Sequence, residues 1–456
     1  MLIRFTVGNF LSFDDVQEFS MISGKVRSKS ERLYIDDHIK LLKFAAVFGA
    51  NASGKSNLVS AMEFAQKVLN FGFPSDTPWK YCKLSDENKQ KPSYFEFEIE
   101  IDRKYYAYGF EAVLSEQRLC TEWLHQILPL GQDRILFSRD VSAKNYSIGA
   151  PFQKNSLSER LNIYADDIRS DPSVLFLKAL NQNKNTLYAE HEEAGIFRMV
   201  FQWLSEKLDI NFPDQPISMY SYFVSHQNFE RICTTLSAFG TGITNYAITE
   251  TPPEKMLRRI PQTLLNELLE TLHAAEKKPG SKEGMPSVFL RRDKSFYILS
   301  LDREGELISK TIQFNHGNPK IFFSLSEESD GTARLLDLLT ILFESTPGYV
   351  YIIDEIDRCL HPQLTFKFIS EYLKIAQQLE IQLVVTTHES RLLNFDLLRR
   401  DEIWFIDKKM DGSSSVYSLD EYNERFDKKI DKAYLEGRYG GVPVFGTVPL
   451  GGGLNP

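Results

Sequence analysis

Apolar and polar residues alternate with a period of two in several stretches of the chain, as they do in half-buried strands. Near the N-terminus, Ile3, Phe5 and Val7 are separated by single residues, and residues 16–21 form a second short stretch of this kind. This pattern predicts two short strands joined by a turn at Asp14–Asp15.

A second group of alternating stretches follows farther along the chain. Residues 95–101 alternate strictly and end in a charged turn at residues 102–104, after which residues 105–114 return in the same pattern. Residues 120–128 supply a candidate third strand. Consecutive strands joined by short turns pair in opposite directions, so we predict an antiparallel meander.

The segment 151–310 has a different character. Apolar residues recur at helical spacing over 190–208 and 254–275, and strand-like alternation returns at 287–301. We therefore predict a mainly helical insertion that ends in strands, without the sustained heptads of a long coiled coil. Two interpretations stay open: the insertion packs on its own chain, or it is an arm for partner binding or sensing.

A glycine-rich loop joins an apolar run to a helical stretch. Residues 41–48 predict a strand, and residues 57–69 place their apolar side chains on one face of a helix. Glycines allow backbone amides to turn towards a phosphate, and the helix start adds unpaired amides and a positive dipole end. The loop has the P-loop pattern Gly49-Ala50-Asn51-Ala52-Ser53-Gly54-Lys55-Ser56.

This motif assigns a role to each of its polar residues. Lys55 would reach the β- and γ-phosphates of a nucleotide, and the Ser56 hydroxyl would ligate Mg²⁺. The predicted nucleotide-binding residues of the loop are Gly49, Asn51, Gly54, Lys55, Ser56 and Asn57.

A second candidate for anion binding lies in the C-terminal third of the chain. Ser329 and Gly331 precede a strongly apolar helix predicted over residues 333–343. A helix N-terminus of this kind favours anions. Such residues also cap helices that bind no ligand, so the motif is weak by itself.

Carboxylates and a histidine end two apolar strands. Residues 349–353 lead into Asp354 and Glu355, and residues 382–387 lead into His388. In a P-loop protein, such an aspartate holds Mg²⁺, and the adjacent glutamate orients and deprotonates the attacking water. The histidine would contact the γ-phosphate and this water. The predicted catalytic residues are Glu355 and His388, and the predicted metal ligands are Ser56 and Asp354.

Composition restricts the class of protein. The 456 residues carry a net charge of −9, which argues against a surface that coats nucleic acid or anionic membrane, without excluding a local basic groove. The four cysteines stand far apart, so neither a zinc site nor a disulfide framework is expected. No apolar run approaches the ~20 residues that span a bilayer, and the N-terminus lacks a signal-peptide core. We expect a cytoplasmic protein.

The order of these motifs resembles the head of ABC-type ATPases. P-loop, Ser-x-Gly signature, Asp-Glu strand and terminal histidine follow one another over roughly residues 1–130 and 310–445. Asn-Phe-x-Ser-Phe at 9–13, Leu-His-Pro at 360–362 and a Tyr/Gly-rich motif at 434–443 resemble the SMC, RecF and OLD branch. Within it, the chain is similar to compact bacterial antiphage-defence ATPases of the RloA, AriA and PtuA types.

The resemblance implies an α/β fold: an ABC-type ATPase head with a mixed sheet, an antiparallel β lobe and a mainly helical insertion. Leu11 departs from the pattern, because many relatives carry Arg or Lys there to contact a phosphate. The implied segments are the N-terminal half of the head at 1–150, the insertion at 151–310, the C-terminal half at 311–445 and a flexible tail at 446–456.

The resemblance also implies a head-to-head dimer that holds ATP and Mg²⁺ between its protomers. Ser329 and Gly331 would contact the γ-phosphate bound by the other protomer. Asp357 would couple the two sites.

The expected function is regulatory. OLD-type relatives carry a nuclease domain after the head, but only 68 residues follow His388, and these complete the head. We expect an ATPase that senses infection and controls a separately encoded toxic effector such as a nuclease. The alternative is a RecF- or SMC-like repair ATPase that clamps DNA, which requires a basic groove and salt-sensitive DNA binding. The signature and His388 argue against a P-loop kinase or GTPase.

Overall fold

The computed structural model describes most of the chain, in two compact units. The first unit comprises Met1–Ile210, Thr346–Ile356 and Leu373–Pro456, and the second comprises Asn211–Ser345 and Asp357–Tyr372. The predicted segments 1–150, 151–310 and 311–445 follow other boundaries and stay a prediction. The described ranges are 1–128, 131–153, 155–217, 220–224, 229–252, 270, 272, 287–292, 294–302, 306–422 and 430–442.

Strands and helices of the described ranges are numbered in chain order. The strands are β1 Leu2–Gly8, β2 Gln17–Ser20, β3 Leu33–Ile35, β4 Lys40–Leu42, β5 Phe44–Phe48, β6 Ser93–Ile101, β7 Lys104–Val113, β8 Arg118–Ile127, β9 Arg134–Asp140, β10 Asn145–Ile148, β11 Leu208–Asn211, β12 Asn245–Glu250, β13 Ser287–Arg292, β14 Ser295–Leu301, β15 Leu307–Asn315, β16 Phe323–Ser324, β17 Val350–Ile353, β18 Gln382–Thr387, β19 Ile403–Lys408 and β20 Ser414–Ser418. The α-helices are α1 Lys55–Phe71, α2 Asn155–Asp167, α3 Phe176–Asn181, α4 Asn185–Glu190, α5 Gly195–Gln202, α6 Phe229–Ala238, α7 Asp330–Phe343, α8 Pro362–Ala376 and α9 Ile430–Leu435.

The first unit contains the predicted antiparallel meander. Its sheet has the strand order β10-β9-β8-β7-β6-β1-β2, and β6, β7 and β8 cover the three predicted strands. The turn between β6 and β7 consists of Asp102 and Arg103, whose φ angles of 51° and 58° are the left-handed values of a two-residue hairpin turn. The meander prediction is therefore confirmed.

The N-terminal turn is placed differently from the prediction at Asp14–Asp15. Phe10 and Phe13 exchange two backbone hydrogen bonds of 2.9 Å, so the chain reverses at Leu11 and Ser12. Both phenylalanine rings are fully buried. A reversal at Leu11 and Ser12 thus lets both rings be buried, which favours this position of the turn.

A second sheet of the first unit carries the glycine-rich loop. Its strand order is β11-β17-β18-β5-β19-β20, and β17, β18, β5 and β19 run parallel. The apolar run predicted as one strand is divided between β4 and β5 at Lys43, a buried lysine whose Nζ donates to the Ala376 carbonyl at 2.7 Å. The predicted helix over 57–69 is confirmed as α1.

The second unit combines an antiparallel sheet with helices. The sheet has the order β12-β15-β14-β13, with β16 paired to β15. The Tyr222 hydroxyl donates to the Leu336 carbonyl of α7 at 2.7 Å. A buried ion pair joins Arg291 of β13 to Asp337 of α7, with Nη2 3.1 Å from Oδ2. These contacts hold α7, the helix predicted after Gly331, against the sheet.

Two helical predictions of the insertion have different outcomes. The helix predicted over 190–208 is confirmed for residues 192–207, where a 3₁₀ turn at Glu192–Ala194, α5 and a π-helical turn at Trp203–Lys207 follow one another up to β11. His191, whose φ of −136° is extended, separates this segment from α4. The helix predicted over 254–275 lies almost entirely outside the described residues, as does the predicted tail.

The predicted fold class, an α/β fold with a mixed sheet and an antiparallel β lobe, is confirmed. None of the helices in the described ranges is long and apolar enough to cross a membrane.

Candidate functional site

Three predicted site segments follow neighbouring parallel strands of one sheet. The register pairs Ile353 of β17 with Val385 of β18, and Thr387 of β18 with Phe48 of β5. The residues after these strands therefore leave the sheet at the same edge. Ligands of open α/β sheets bind at this carboxyl edge. The edge bears Gly49 after β5, Asp354 and Glu355 after β17, and His388 after β18.

The glycines of the P-loop are required by close contacts. A Cβ at Gly54, whose φ is +116°, would lie 2.5 Å from Ser414 Oγ. A Cβ at Gly49 would lie 2.4 Å from the Ile406 carbonyl oxygen. Neither position has room for a side chain, so the loop backbone follows the ends of β19 and β20 closely.

The helix α1 begins directly at the loop. Gly54 is its N-cap, Lys55 its first residue, and Ser56 lies in the first turn. The first amides of a helix have no acceptor within it, and the helix dipole makes this end positive. Loop and helix start therefore provide the amides that a phosphate site needs.

Lys55 lies across the loop and is 5% exposed. Its Nζ donates to the carbonyl oxygens of Gly49 at 2.8 Å and Ala50 at 2.9 Å. The ammonium group is thus held by the backbone of its own loop. Asn51 is exposed in the loop. The side-chain amide of Asn57 donates from Nδ2 to Ser12 Oγ at 2.7 Å.

The carboxylate pair is tied to the next strand by Thr386. The Thr386 hydroxyl donates to Asp354 Oδ1 at 2.5 Å, and the Glu355 amide donates to the same hydroxyl at 2.8 Å. Asp354 is 2% exposed. Glu355 has a φ of +47°, a left-handed value that is uncommon for a residue with a side chain. Thr386 thus holds both the carboxylate and the unusual turn that follows it.

His388 is the exposed residue directly after β18. The hydroxyl of Thr387 before it accepts the amide of Glu389 at 3.0 Å, which shapes the end of the strand. The first unit thus brings His388 to the same edge as the P-loop and the carboxylates.

Two serines support the loop from outside the P-loop motif. Ser414 Oγ donates to the Ser53 carbonyl at 2.5 Å and lies 2.8 Å from Ser12 Oγ. Ser12 belongs to the Asn-Phe-x-Ser-Phe motif, whose sequence alone indicates a family resemblance but no contact with the P-loop. Thr386 and Ser414 have no sequence signal of their own, because their partners are more than 30 residues away.

An open groove of about 340 Å³ adjoins the first turn of α1. Trp79 is 68% exposed, and Lys83 Nζ lies 5.6 Å from the centre of its ring. The Leu11 amide donates to the Lys80 carbonyl at 2.8 Å, which links this segment to the turn that carries Ser12. The lining residues are Leu11, Ser12, Asn57, Trp79, Tyr81, Lys83, Leu84, Lys408 and Gly412.

The predicted signature residues belong to the second unit, with Asp357. Ser329 is the N-cap of the 14-residue helix α7, and its Oγ accepts the Thr332 amide at 3.0 Å. A Cβ at Gly331 would lie 2.7 Å from the Cys359 carbonyl oxygen. The loop that begins at Asp357 therefore contacts the first turn of α7, and the second unit brings these predicted residues together.

The residues at the edge fit a nucleotide with Mg²⁺. The loop has glycines where a Cβ would collide, a buried lysine and a helix start, which together suit phosphates. Ser56 and Asp354 offer the oxygen donors that Mg²⁺ prefers. The described residues contain no cluster of three or more His, Cys, Asp and Glu side chains that could hold a metal ion. Mg²⁺ held partly by substrate phosphates does not need such a cluster.

Several solved structures of SMC heads are similar to this chain. The SMC head bound to the C-winged helix domain of ScpA is 14% identical, with 91% of this chain and 97% of that chain covered and a TM-score of 0.38. The Thermotoga maritima SMC head is 12% identical, with 91% and 98% covered and a TM-score of 0.31. The SMC head with an extended coiled coil bound to the C-terminal domain of ScpA, from Pyrococcus furiosus, is 16% identical, with 96% and 99% covered and a TM-score of 0.36.

Comparison with curated proteins gives no match. A protein-family model matches residues 44–194 and 254–394, more than half of the chain. Its description reads "AAA domain, putative AbiEii toxin, Type IV TA system". The matched stretches contain the P-loop, the Asp354–Glu355 pair and His388. The chain belongs to this AAA-domain family, as expected for an ABC-type ATPase.

Proposed function

We propose that this protein binds ATP with Mg²⁺ and hydrolyses it at the carboxyl edge of the parallel sheet. The observation that carries the proposal is the arrangement of the P-loop, the Asp354–Glu355 pair and His388 after three neighbouring strands. Family membership supports the same activity.

The residues of the edge have complementary roles in this reaction. Lys55 and the amides at the start of α1 bind the β- and γ-phosphates. Ser56 and Asp354 would hold Mg²⁺, which, when bound, neutralises the charge on the phosphate oxygens. The Glu355 carboxylate accepts a proton from the attacking water, and His388 contacts the γ-phosphate.

Thr386 contributes by orientation. Its hydroxyl bonds Asp354 and the Glu355 amide at once, so it fixes the metal-binding carboxylate relative to the general base. Correct placement of such groups supplies a large share of catalysis in phosphoryl transfer.

The groove beside α1 supports a nucleoside triphosphate rather than bare phosphate as the ligand. Ser12 and Asn57 line the groove, and Ser12 Oγ would lie 2.9 Å from a Cβ at Gly54, so groove and P-loop are continuous. The exposed face of Trp79 can stack on a base, as aromatic side chains do in nucleic-acid-binding proteins.

The second unit supplies the residues for a dimer-dependent step. We propose a head-to-head dimer in which Ser329 and Gly331, at the start of α7, contact the γ-phosphate bound by the other protomer. The capped and exposed N-terminus of this 14-residue helix supports that role. Asp357, whose loop contacts Gly331 through Cys359, would couple the two sites.

The biological role proposed for this ATPase is to sense phage infection and control a separately encoded toxic effector, such as a nuclease. The family description, with its reference to a type IV toxin–antitoxin system, supports a role beside a partner protein. A DNA-repair ATPase of the SMC or RecF kind is the competing function. It would require that the ATP-bound dimer binds duplex DNA with a steep dependence on salt.

The test of the activity is ATP binding and hydrolysis by the purified protein and its Lys55→Ala variant. We expect Mg²⁺-dependent hydrolysis by the wild type, and loss of both ATP binding and hydrolysis in the variant. Wild-type protein that does not bind ATP, or a variant with unchanged ATP affinity, would contradict the proposal.

The test of the biological role is a phage-plating assay on cells that carry the gene with its neighbours. Protection is expected with the wild-type gene and should disappear with Lys55→Ala. Equal plating with both genes and with an empty vector would refute the defence role without affecting the proposed ATPase activity.

A further inference from the structure

The last described segment of the chain, residues 430–442, lies over the start of the P-loop. We call it the C-terminal strap. Its helix α9 ends at Leu435, and Gly437, with a φ of +80°, closes it. The Arg438 amide donates to the Ala433 carbonyl at 3.1 Å, as in the common glycine-terminated helix end. The strap is thus a defined structure rather than a loose terminus.

Two buried tyrosines attach the strap to the parallel sheet. Tyr434 and Tyr439 stack on Phe405 of β19, with ring centres 5.5 and 6.0 Å apart. The Tyr434 ring also packs edge-on against Phe48, the last residue of β5, with ring centres 6.1 Å apart. The strap therefore lies across the ends of β5 and β19, where the P-loop begins.

The backbone of the strap touches the first residue of the P-loop. A Cβ at Gly441 would lie 3.3 Å from the Cα of Gly49. The Tyr434 hydroxyl donates to the Gly441 carbonyl at 2.8 Å and is buried. Gly441 has a φ of +67°, which favours glycine. One tyrosine hydroxyl thus fixes the strap residue that packs on Gly49.

Gly49 also packs against β19, and its carbonyl oxygen accepts a hydrogen bond from Lys55. Its Cα faces the Ile406 carbonyl and Ser53 Oγ, and its own carbonyl accepts the Lys55 ammonium at 2.8 Å. A shift of Gly49 would therefore move the oxygen that holds the phosphate-binding lysine. The strap is placed to prevent that shift.

We propose that Tyr434 is a positioning residue of the nucleotide site: its hydroxyl holds Gly441 against Gly49 and so sets the P-loop for phosphate binding. The inference rests on the proposed ATP-binding function. It assigns a role to the Tyr/Gly-rich motif at 434–443, for which the sequence offered only a resemblance.

The experiment compares two tyrosine-to-phenylalanine variants of the full chain. Tyr434→Phe keeps the stacked ring and removes the hydroxyl that bonds Gly441. Tyr417→Phe is the matched control, because its hydroxyl bonds another strap carbonyl, that of Tyr439, at 2.6 Å. Calorimetric titration with ATP and with inorganic tripolyphosphate gives the dissociation constants, and thermal unfolding gives Tm for each variant.

The inference expects Tyr434→Phe to weaken binding of both ATP and tripolyphosphate about five- to tenfold, consistent with the loss of one buried hydrogen bond. It expects KM for ATP to rise more than kcat falls. Tyr417→Phe should bind both ligands within about twofold of the wild type, even if its Tm falls equally.

Two results would overturn the inference. If Tyr434→Phe binds both ligands as the wild type does, the hydroxyl has only a structural role. If Tyr434→Phe and Tyr417→Phe lose the same affinity, any loosening of the strap weakens binding and the Tyr434 hydroxyl has no special role. Both results leave ATP binding by the wild type intact, whereas a wild type that fails to bind ATP would remove the proposed function itself.

Discussion

The hydroxyl of Thr386 lies 2.5 Å from Oδ1 of Asp354 and donates a hydrogen bond to it. Thr386 belongs to β18 and Asp354 follows the neighbouring parallel strand β17. Because Asp354 is buried, loss of this donor would leave a carboxylate oxygen without a bond in a low-dielectric setting. The same hydroxyl also accepts the Glu355 amide, so one side chain orders two residues of the candidate site.

Thr386→Val should reduce ATP turnover about tenfold or more and lower Tm, because valine has the same shape but neither donates nor accepts. Thr386→Ser keeps the hydroxyl and should stay within about threefold of wild-type kcat. Steady-state kinetics and thermal unfolding of both variants measure the effect. Equal kcat values for the valine and serine variants would show that the Thr386 hydroxyl does not contribute to catalysis.

Ser329→Ala should prevent ATP-dependent dimerisation while leaving ATP binding by the monomer unchanged. The hydroxyl caps α7, so its loss also costs about 1 kcal/mol of stability. Ser326→Ala is the control, since Ser326 is exposed and lies just before this helix. Light scattering after size exclusion, with ATP and hydrolysis blocked, gives the mass of each variant. A Ser329→Ala protein that dimerises like the control would refute the predicted signature contact.

Trp79→Ala should weaken ATP binding about tenfold, because base stacking on an aromatic ring contributes roughly 1–3 kcal/mol. Affinity for inorganic tripolyphosphate, which has no base, should not change. Trp79→Phe retains an aromatic face and should lie between alanine and wild type for ATP. Titration of the three proteins with both ligands is the measurement. If Trp79→Ala loses the same affinity for ATP and for tripolyphosphate, Trp79 does not stack on the base.

The buried carboxyl group of Glu402 should make the stability of the protein depend on pH, whether or not a nucleotide is bound. Burial raises its pKa from the ordinary value of 4.5 to about 8, and the Arg399 amide donates to its Oε2 at 2.7 Å. The folded protein therefore keeps a proton that the unfolded chain has released. Between pH 4.5 and about 8, unfolding loses this proton, so the free energy of unfolding falls as pH rises, by at most about 1.4 kcal/mol per pH unit.

Glu402→Gln should remove this contribution, because glutamine cannot ionise and can still accept the Arg399 amide. The variant should gain stability relative to wild type between pH 6 and pH 8, as measured by urea unfolding at several pH values. Glu193→Gln, at an exposed carboxylate, is the control and should follow the wild type. If the free energies of unfolding of Glu402→Gln and the wild type change with pH in parallel, the pKa of Glu402 is not raised in the folded protein.

Patterns within short stretches of the sequence predict much of the fold. The alternation at 95–101 and the charged turn after it specify β6, β7 and the hairpin at Asp102–Arg103, because contacts between neighbouring strands need only nearby sequence. The P-loop and α1 are equally local, since glycine conformations and helix starts are decided within a few residues. The helical segment at 192–207 is local as well, because its apolar residues recur at helical spacing.

Long-range partners could not be found in this way. Thr386 reaches Asp354 only because β18 lies beside β17, and Ser414 reaches Ser53 only because β20 follows β19 back towards the loop. Tyr434 supports Gly49 across 385 positions of the chain. Strand order decides these contacts, and no spacing in the sequence encodes that order.

In the proposed mechanism Glu355 deprotonates the water that attacks ATP at this edge, and the decisive measurement is the single-turnover rate of ATP hydrolysis by Glu355→Gln. Glutamine keeps the size of the side chain and cannot accept the proton. We expect Glu355→Gln to bind ATP within about twofold of the wild-type affinity and to hydrolyse it about 10²- to 10⁴-fold more slowly. Hydrolysis by Glu355→Gln at the wild-type rate, with ATP bound, would contradict it.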